Sequence, residues 1–288
     1  MLTSPYHLAQ PLARTTSVVF ASPHSGRDYP ASFLRRSVLD AREIRSSEDA
    51  FVDQLFASVP MQGAPLLTAT APRAFLDLNR GPDELDPALV EGARRNAHNP
   101  RIASGLGVIP RVVANGRQIY RGKLTLVEAH QRVTQYWRPY HDQLQMLLDQ
   151  SINTFGEAIL IDCHSMPHEA LENMGPSGAG RPDVVLGDRF GATAGPAVMD
   201  QIEAAFATAG LKVARNMPFA GAYIVQQYGR PSRRQHAVQV EIDRALYMDE
   251  ARVAPLPGFA RVQRSLAAVV AEIAAMGAAD GGLPLAAE

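Results

Sequence analysis

Three stretches of this 288-residue sequence end in a side chain that can bind a metal or carry a proton. They are Ser17-Val-Val-Phe-Ala-Ser-Pro-His24, Ala158-Ile-Leu-Ile-Asp-Cys-His164 and Ala237-Val-Gln-Val-Glu241. Each is an apolar run with the β-branched character of a strand. In open α/β sheets ligands sit in the crevice outside the carboxyl ends of the strands. Two histidines and a glutamate delivered there make the donor set of a metal hydrolase. A fourth run, 73–78, leads into Asp77-Leu-Asn79-Arg80, which adds a guanidinium fork suited to a carboxylate.

Every one of these residues also has a simpler explanation. His24, before Ser25-Gly26, can be a ligand or a strand-terminal imidazole bonded to nearby backbone. Strand side chains alternate, so Asp162 and His164 share a face, where Asp162 can support the imidazole. Cys163 points the other way and reads as an apolar filler rather than a nucleophile. Ser46-Ser47-Glu48-Asp49 opens a helix with Phe51, Val52, Leu55 and Phe56 at helical spacing. Its carboxylates can serve the free N–H groups of a first turn, or one of them can complete a two-histidine, one-carboxylate metal set. Glu241 can pair with Arg244 at the surface. Apolar neighbours argue for burial, however, and a buried carboxylate is costly unless paired or used. Next to an attacking water it would be the general base, with Asp243 the competing candidate. Arg73 and Arg80 flank the fourth run and rise above ordinary surface arginines only in that company. His130 and His141 read as packing or surface residues. His168, in the loop after His164, is a possible neighbour of the site. His7, His98 and His236 receive no role.

The elements that must position these groups follow from periodicity. Strands are expected at 17–22, 65–70, 73–78, 158–163, 211–215, 222–226 and 237–242, with helices at 47–59, 124–150, 192–209 and 259–276. Their alternation implies a layered α/β fold, and with no linker the whole of 1–288 reads as a single domain. Thr125-Leu-Val-Glu128 has the spacing of a capping box, and Pro139 should kink or split the long helix it opens. The Pro-, Gly- and Arg-rich stretch 81–122 reads as a rim or lid. A second Gly- and Pro-rich passage runs from His168 to Arg181, and Gly277–Glu288 is expected to fray.

Composition removes several classes of function. A net charge of −1 with no basic stripe excludes phosphate-driven nucleic-acid binding. At 46% hydrophobic and 20% charged residues the composition is that of a globular protein, long enough to bury roughly three quarters of its unfolded surface. No apolar run approaches the roughly 20 residues of a membrane span. The absence of a signal-peptide pattern and a single cysteine point to a cytoplasmic location.

Six segments together resemble the N-formylglutamate amidohydrolase (N-formylglutamate deformylase) family. They are Ser22-Pro-His-Ser-Gly26, Glu48-Asp-Ala-Phe-Val-Asp-Gln-Leu-Phe56, Asp77-Leu-Asn-Arg80, Asp162-Cys-His-Ser165, Asn216-Met-Pro-Phe-Ala-Gly-Ala-Tyr223 with Tyr228-Gly229, and Gln239-Val-Glu241. Each is short; six in order are specific. Asp77-Leu-Asn-Arg80 also looks like the carboxylate motif of the aspartoacylase and succinylglutamate desuccinylase enzymes. The resemblance implies a three-layer sandwich, a mixed sheet flanked by helices, of the zinc-carboxypeptidase and phosphorylase-hydrolase kind. It implies one Zn2+ per chain on His24, Asp49 and His164, with Glu48 the fallback for Asp49. It further implies Glu241 as general acid and base, Arg73 as oxyanion stabiliser, and Asn79 and Arg80 as a carboxylate clamp. Tyr223 falls in the substrate pocket, and Arg230 is the candidate for a second carboxylate. The implied reaction releases formate and L-glutamate from N-formyl-L-glutamate, a step of histidine degradation, and the expected partner is a small acidic N-acyl amino acid. This sequence departs from the family pattern at Ala222, Gln226, Gln227 and Val185, where the pattern has Gly, Arg, His and Asn. The side pocket is therefore expected to differ.

Overall fold

The computed structural model describes residues 4–94, 99–172 and 180–278. Its strands are β1 (Tyr6–Ala9), β2 (Val18–Ser22), β3 (Leu66–Ala69), β4 (Val90–Glu91), β5 (Leu124–Thr125), β6 (Ala158–Met166), β7 (Val184–Gly187), β8 (Val213–Arg215), β9 (Gln235–Asp243), β10 (Met248–Asp249) and β11 (Ala254–Pro255). The α-helices are α1 (Ala31–Arg36), α2 (Val52–Leu55), α3 (Pro100–Ala103), α4 (Leu126–Arg132), α5 (Arg138–Phe155), α6 (Pro196–Thr208), α7 (Tyr223–Tyr228) and α8 (Phe259–Met276). Seven strands form the main sheet in the order β1-β3-β2-β6-β9-β7-β8. Its central strands β3, β2, β6 and β9 run parallel; β1 pairs antiparallel with β3 and β7 antiparallel with β9, while β8 runs parallel to β7. The chain is therefore mixed α/β.

Strand alternation divides the core in two. Val18, Phe20, Ile159, Ile161, Val238 and Val240 pack on one face with Ile202 and Phe206 of α6 and Leu266, Val269 and Ile273 of α8. Val19, Ala21, Leu160 and Ala237 face the other way, against Tyr140, Leu144, Leu147 and Leu148 of α5. Burying each of these large aliphatic side chains stabilises the fold by about 1.5–3 kcal/mol. Strands buried on both faces must be apolar almost throughout, which is why the central runs read so clearly. Among the described residues no helix is long and apolar enough to cross a membrane.

Several expected elements changed type. Residues 73–78 are not a strand. They form a buried loop whose Phe75, Leu76 and Leu78 enter the core, while Asp77 Oδ1 turns the chain by accepting from Asn79 N at 2.8 Å. Residues 222–226 are not a strand either. Their first turn of α7 receives a cap from far away, the Ile224 N–H donating to Asn79 Oδ1 at 2.7 Å. The helix expected over 47–59 shortens to α2, because Phe51 just ahead of it lies at φ 67°. Thr125 does cap α4, accepting from Glu128 N. Ahead of Pro139, which cannot donate to the preceding turn, residues Val133–Trp137 widen into a π-helical turn between α4 and α5. Of the stretch 277–288, Ala278 pairs with Thr16, and 279–288 lie outside the described residues.

Candidate active site

The parallel register of β2, β6 and β9 brings their carboxyl ends to one edge of the sheet. Ala21 lies opposite Asp162, and His164 lies opposite Glu241. Asp162, His164, Gln239 and Glu241 therefore share the face turned towards α5, and Cys163 faces the opposite core. Burial pushes the Cys163 thiol well above its ordinary value and keeps it protonated. His24 follows β2 in a tight passage. A Cβ on Gly26 would lie 2.2 Å from the carbonyl oxygen of Ala71, so only glycine lets this loop lie against the loop that carries Asp77. Asp49 is tied to the same place, its N–H donating to the His24 carbonyl at 3.0 Å.

Three buried donors converge there. His164 Nδ1 is 2.9 Å from Asp49 Oδ2 and 3.1 Å from His24 Nδ1, and His24 Nδ1 is 3.3 Å from the same Asp49 oxygen. Among the described residues His24, Asp49 and His164 are the group able to hold a metal ion. The second nitrogen of each ring faces a carboxylate: His24 Nε2 is 2.7 Å from Asp77 Oδ1, and His164 Nε2 is 3.0 Å from Asp162 Oδ2. The second contact is ionic rather than an aligned hydrogen bond, since neither Asp162 oxygen has a hydrogen-bond partner among the described residues. Both arrangements point Nδ1 at the common centre. Burial would weaken a charge on His164, but Asp162, Asp49 and Glu241 outweigh it and hold the ring well above its ordinary pKa. A field that favours a proton there also favours a metal cation. Donor identity, convergence and charge all suit a divalent metal of the zinc type.

Glu48 and Asp49 separate cleanly. Glu48 takes both Nε and Nη2 of Arg45 at 3.0–3.1 Å and the Tyr29 hydroxyl at 2.5 Å, away from the histidines. Glu241 and Asp243 separate as well. Asp243 accepts from His168 at 2.7 Å and caps Ala245 N, whereas Glu241 lines the cavity with Oε1 held by Gln239 Nε2 at 2.8 Å. Burial pushes Glu241 up to about 7; His164, Arg73 and Arg244 oppose that rise and Asp49 adds to it.

The cavity above these groups measures about 750 Å3. Its rim includes Leu106, Pro110 and Val112–Gly116, so the 81–122 excursion does form one wall. Arg73 lines it and gives Nε to Asp77 Oδ2 at 3.0 Å. Burial opposes the Arg73 charge, but Asp77, Asp49 and Glu241 hold it above its ordinary value. Arg80 lines it too, spending Nε on the Leu106 carbonyl and one Nη1 N–H on the Asn79 carbonyl. The Asn79 amide is used structurally: Oδ1 caps Ile224, and Nδ2 lies 3.3 Å from both Gln239 Oε1 and His164 Nε2. Tyr223 and Arg230 are not part of the lining. Tyr223 packs on Trp137 and His141, and Arg230 donates to the Gln226 and Gly229 carbonyls at an exposed position. His168 lies between Asp243 and Arg181, outside the cavity.

Sequence reasoning passed over three participants. Arg244, read as a surface partner of Glu241, is buried and gives Nη2 to Asp49 Oδ1 at 2.9 Å. Gln239 positions Glu241; its spacing of two on the same strand face was the available signal. His141 supports the Leu78–Arg80 loop, bonding the Leu78 carbonyl at 2.9 Å and the Tyr228 hydroxyl at 2.8 Å, with Trp137 stacked on it and donating to the Arg80 carbonyl.

Known proteins match this chain along most of its length. The family model for N-formylglutamate amidohydrolase matches residues 16–248. The N-formylglutamate deformylase of Pseudomonas putida is 30% identical over 81% of this chain and 82% of its own. The N-formylglutamate deformylase of Pseudomonas aeruginosa is 30% identical over 89% and 90%. A crystal structure of N-formylglutamate amidohydrolase from Ralstonia eutropha JMP134 superposes with a TM-score of 0.88 at 37% identity, covering 96% of this chain and 99% of that one. The Agrobacterium tumefaciens gene product Atu2144 shares the fold at a TM-score of 0.64 and 15% identity, over 95% and 96%. Matched over four fifths of its length, and with two buried histidines and an aspartate converging beneath Glu241, this chain belongs to the N-formylglutamate amidohydrolase family.

Proposed function

We propose that this protein is a zinc-dependent deformylase that hydrolyses N-formyl-L-glutamate to formate and L-glutamate. One observation carries the reading: a buried carboxylate, Glu241, raised to about 7, shares a cavity with a buried two-histidine, one-aspartate cluster. A divalent metal on His24, Asp49 and His164 would supply Lewis-acid activation of water and of the formyl oxygen. Glu241 takes a proton from the water as its oxygen attacks the formyl carbon. The same proton then goes to the amide nitrogen as the C–N bond breaks, giving formate and the free amine. Gln239 keeps one Glu241 oxygen in place, leaving the other for the transfer. Arg73, held charged by Asp77, faces the oxygen on which negative charge develops. Arg80 offers its uncommitted N–H groups to the substrate α-carboxylate.

Formate release from N-formyl-L-glutamate by zinc-loaded protein, run beside a chelated sample, tests the reading. Chelator-sensitive turnover is expected. Absence of both turnover and bound metal would remove the hydrolase assignment. A second reading, hydrolysis of a larger N-acyl amino acid, is favoured by the roomy cavity and by the departure at Ala222, which lines it; Val185 is buried away from the cavity. Turnover of N-acetyl or longer N-acyl substrates in preference to formyl would select it.

A further inference from the structure

An N-acylglutamate carries two carboxylates, and a cavity that selects it needs two separate anion anchors. Five described arginines line the cavity: Arg73, Arg80, Arg101, Arg189 and Arg244. Arg73 is committed to Asp77 and Arg244 to Asp49, while Arg80 is the α-carboxylate candidate. Arg101 is exposed on the one-turn helix α3. Arg189 is half-buried, in the loop after β7, and donates one N–H to the Gly221 carbonyl at 3.3 Å.

The backbone around Arg189 is unusual and firmly held. Arg189, Phe190 and Gly191 have φ of 53°, 59° and 85°, a run of left-handed residues of which only the last is glycine. Two non-glycine residues in that region are strained and persist only where surroundings over-determine them. Asn216 supplies that restraint. Its Oδ1 accepts from Asp188 N at 3.1 Å and Phe190 N at 3.2 Å, and its Nδ2 donates to Asp188 Oδ1 at 2.8 Å. Arg189 N donates to the Ala220 carbonyl at 2.8 Å. A Cβ on Gly187 would lie 2.7 Å from Ala220 C and Gly221 N, so the two loops meet backbone to backbone. The turn leaves Phe190 74% exposed while Arg189 borders the cavity. Gly187 lies opposite Gln239, two residues along β9 from Glu241, which separates this wall from the base by roughly 7 Å of strand rise.

We propose that Arg189 is the specificity residue that binds the side-chain carboxylate of the N-acyl amino acid, fixed for that purpose by the left-handed turn and the Asn216 staple. The role rests on the deformylase reading for its substrate, but the anchor itself can be tested by binding alone. A guanidinium with one N–H spent on a carbonyl still presents a planar fork to a carboxylate.

Calorimetric titration of metal-loaded protein with glutarate and with butyrate compares a dicarboxylate with a monocarboxylate of similar reach. Arg189→Asn removes the fork while suiting the left-handed backbone, since asparagine is enriched there. Glutarate affinity is expected to fall about 10–100-fold in that variant, as for loss of a charged hydrogen-bond partner. Butyrate affinity should change less than about threefold. Arg189→Lys, which keeps the charge without the fork, should fall in between. Unchanged glutarate preference in Arg189→Asn, or no preference in the parent protein, overturns the proposal. A parent protein that shows the Arg189-dependent preference, yet releases no formate, would keep the anchor and dismiss the deformylase reading.

Discussion

Arg244 Nη2 stands 2.9 Å from Asp49 Oδ1, while the other oxygen of the same carboxylate faces His164 Nδ1 at 2.9 Å and His24 Nδ1 at 3.3 Å. The carboxylate is thus divided, one oxygen for the guanidinium and one for the two histidines. Arg244 also gives Nε to Ser165 Oγ at 3.1 Å, so a single side chain joins the end of β9, the residue after His164 and the loop of Asp49. Groups that orient a metal ligand from behind typically contribute 10–100-fold to metal affinity. Arg244→Met is expected to lose about that much, measured by chelator competition. Unaltered affinity in a folded variant would mean that Asp49 is oriented by its backbone alone.

Glu241→Gln keeps the shape and the Gln239 contact but cannot carry the proton. With metal content unchanged, kcat/KM should drop about 10²–10⁴-fold. A base works deprotonated, so activity in the parent enzyme should be lost as pH falls through an apparent pKa at or below about 7, the cation and Arg73 both favouring the carboxylate. That acid limb should be missing from the variant's residual activity. A persisting limb would assign it to another group.

His141 makes the support of the Asn79–Arg80 loop sensitive to acid. Burial lowers this ring from 6.5 to about 4, outweighing the Leu78 carbonyl, which favours the protonated form; the neutral imidazole donates from Nε2 to that carbonyl and accepts the Tyr228 hydroxyl at Nδ1. The unfolded chain binds the proton more readily. The contribution is therefore complete above about pH 6.5 and is lost progressively as pH falls towards 4, on the order of 3 kcal/mol in all. Urea unfolding of the parent at pH 7.5 and 4.5, compared with His141→Gln, should show a shallower loss in the variant. Parallel slopes would remove His141 as the source.

Asn79→Ala should act first on stability. It strips the cap from Ile224 N at the start of α7, and a buried donor left without a partner costs about 1–3 kcal/mol. A lower thermal midpoint is expected with metal bound at full stoichiometry. A midpoint unchanged from the parent, with substrate KM raised, would return Asn79 to a purely substrate-binding role.

The strand ends carrying His24, His164 and Glu241 were legible because a strand buried on both faces has to be apolar, and a polar residue closing such a run stands out. Alternation alone assigned Asp162 and His164 to one face and Cys163 to the other. Local pattern also yielded the Thr125 cap and the full extent of α8. Residues 73–78 misled for the same reason: a loop that buries Phe75, Leu76 and Leu78 is as apolar as a strand, and what makes it a loop is the Asp77 carboxylate accepting from the N–H of Asn79. Residues 222–226 misled because the acceptor that starts α7 is the side chain of Asn79, far away in sequence.

By itself, then, the sequence determined which chemical groups reach the crevice, since burial and alternation act over a few neighbouring residues. Only the tertiary structure decided how those groups are spent. Glu48 and Asp49 are adjacent carboxylates, yet Arg45 and Tyr29 take the first and two histidines with Arg244 take the second. Among the arginines, Arg230 turns to backbone carbonyls and Arg189 to the cavity. Charge and hydrogen-bond partners are allotted by distances across the fold, and a one-dimensional pattern holds no record of those distances.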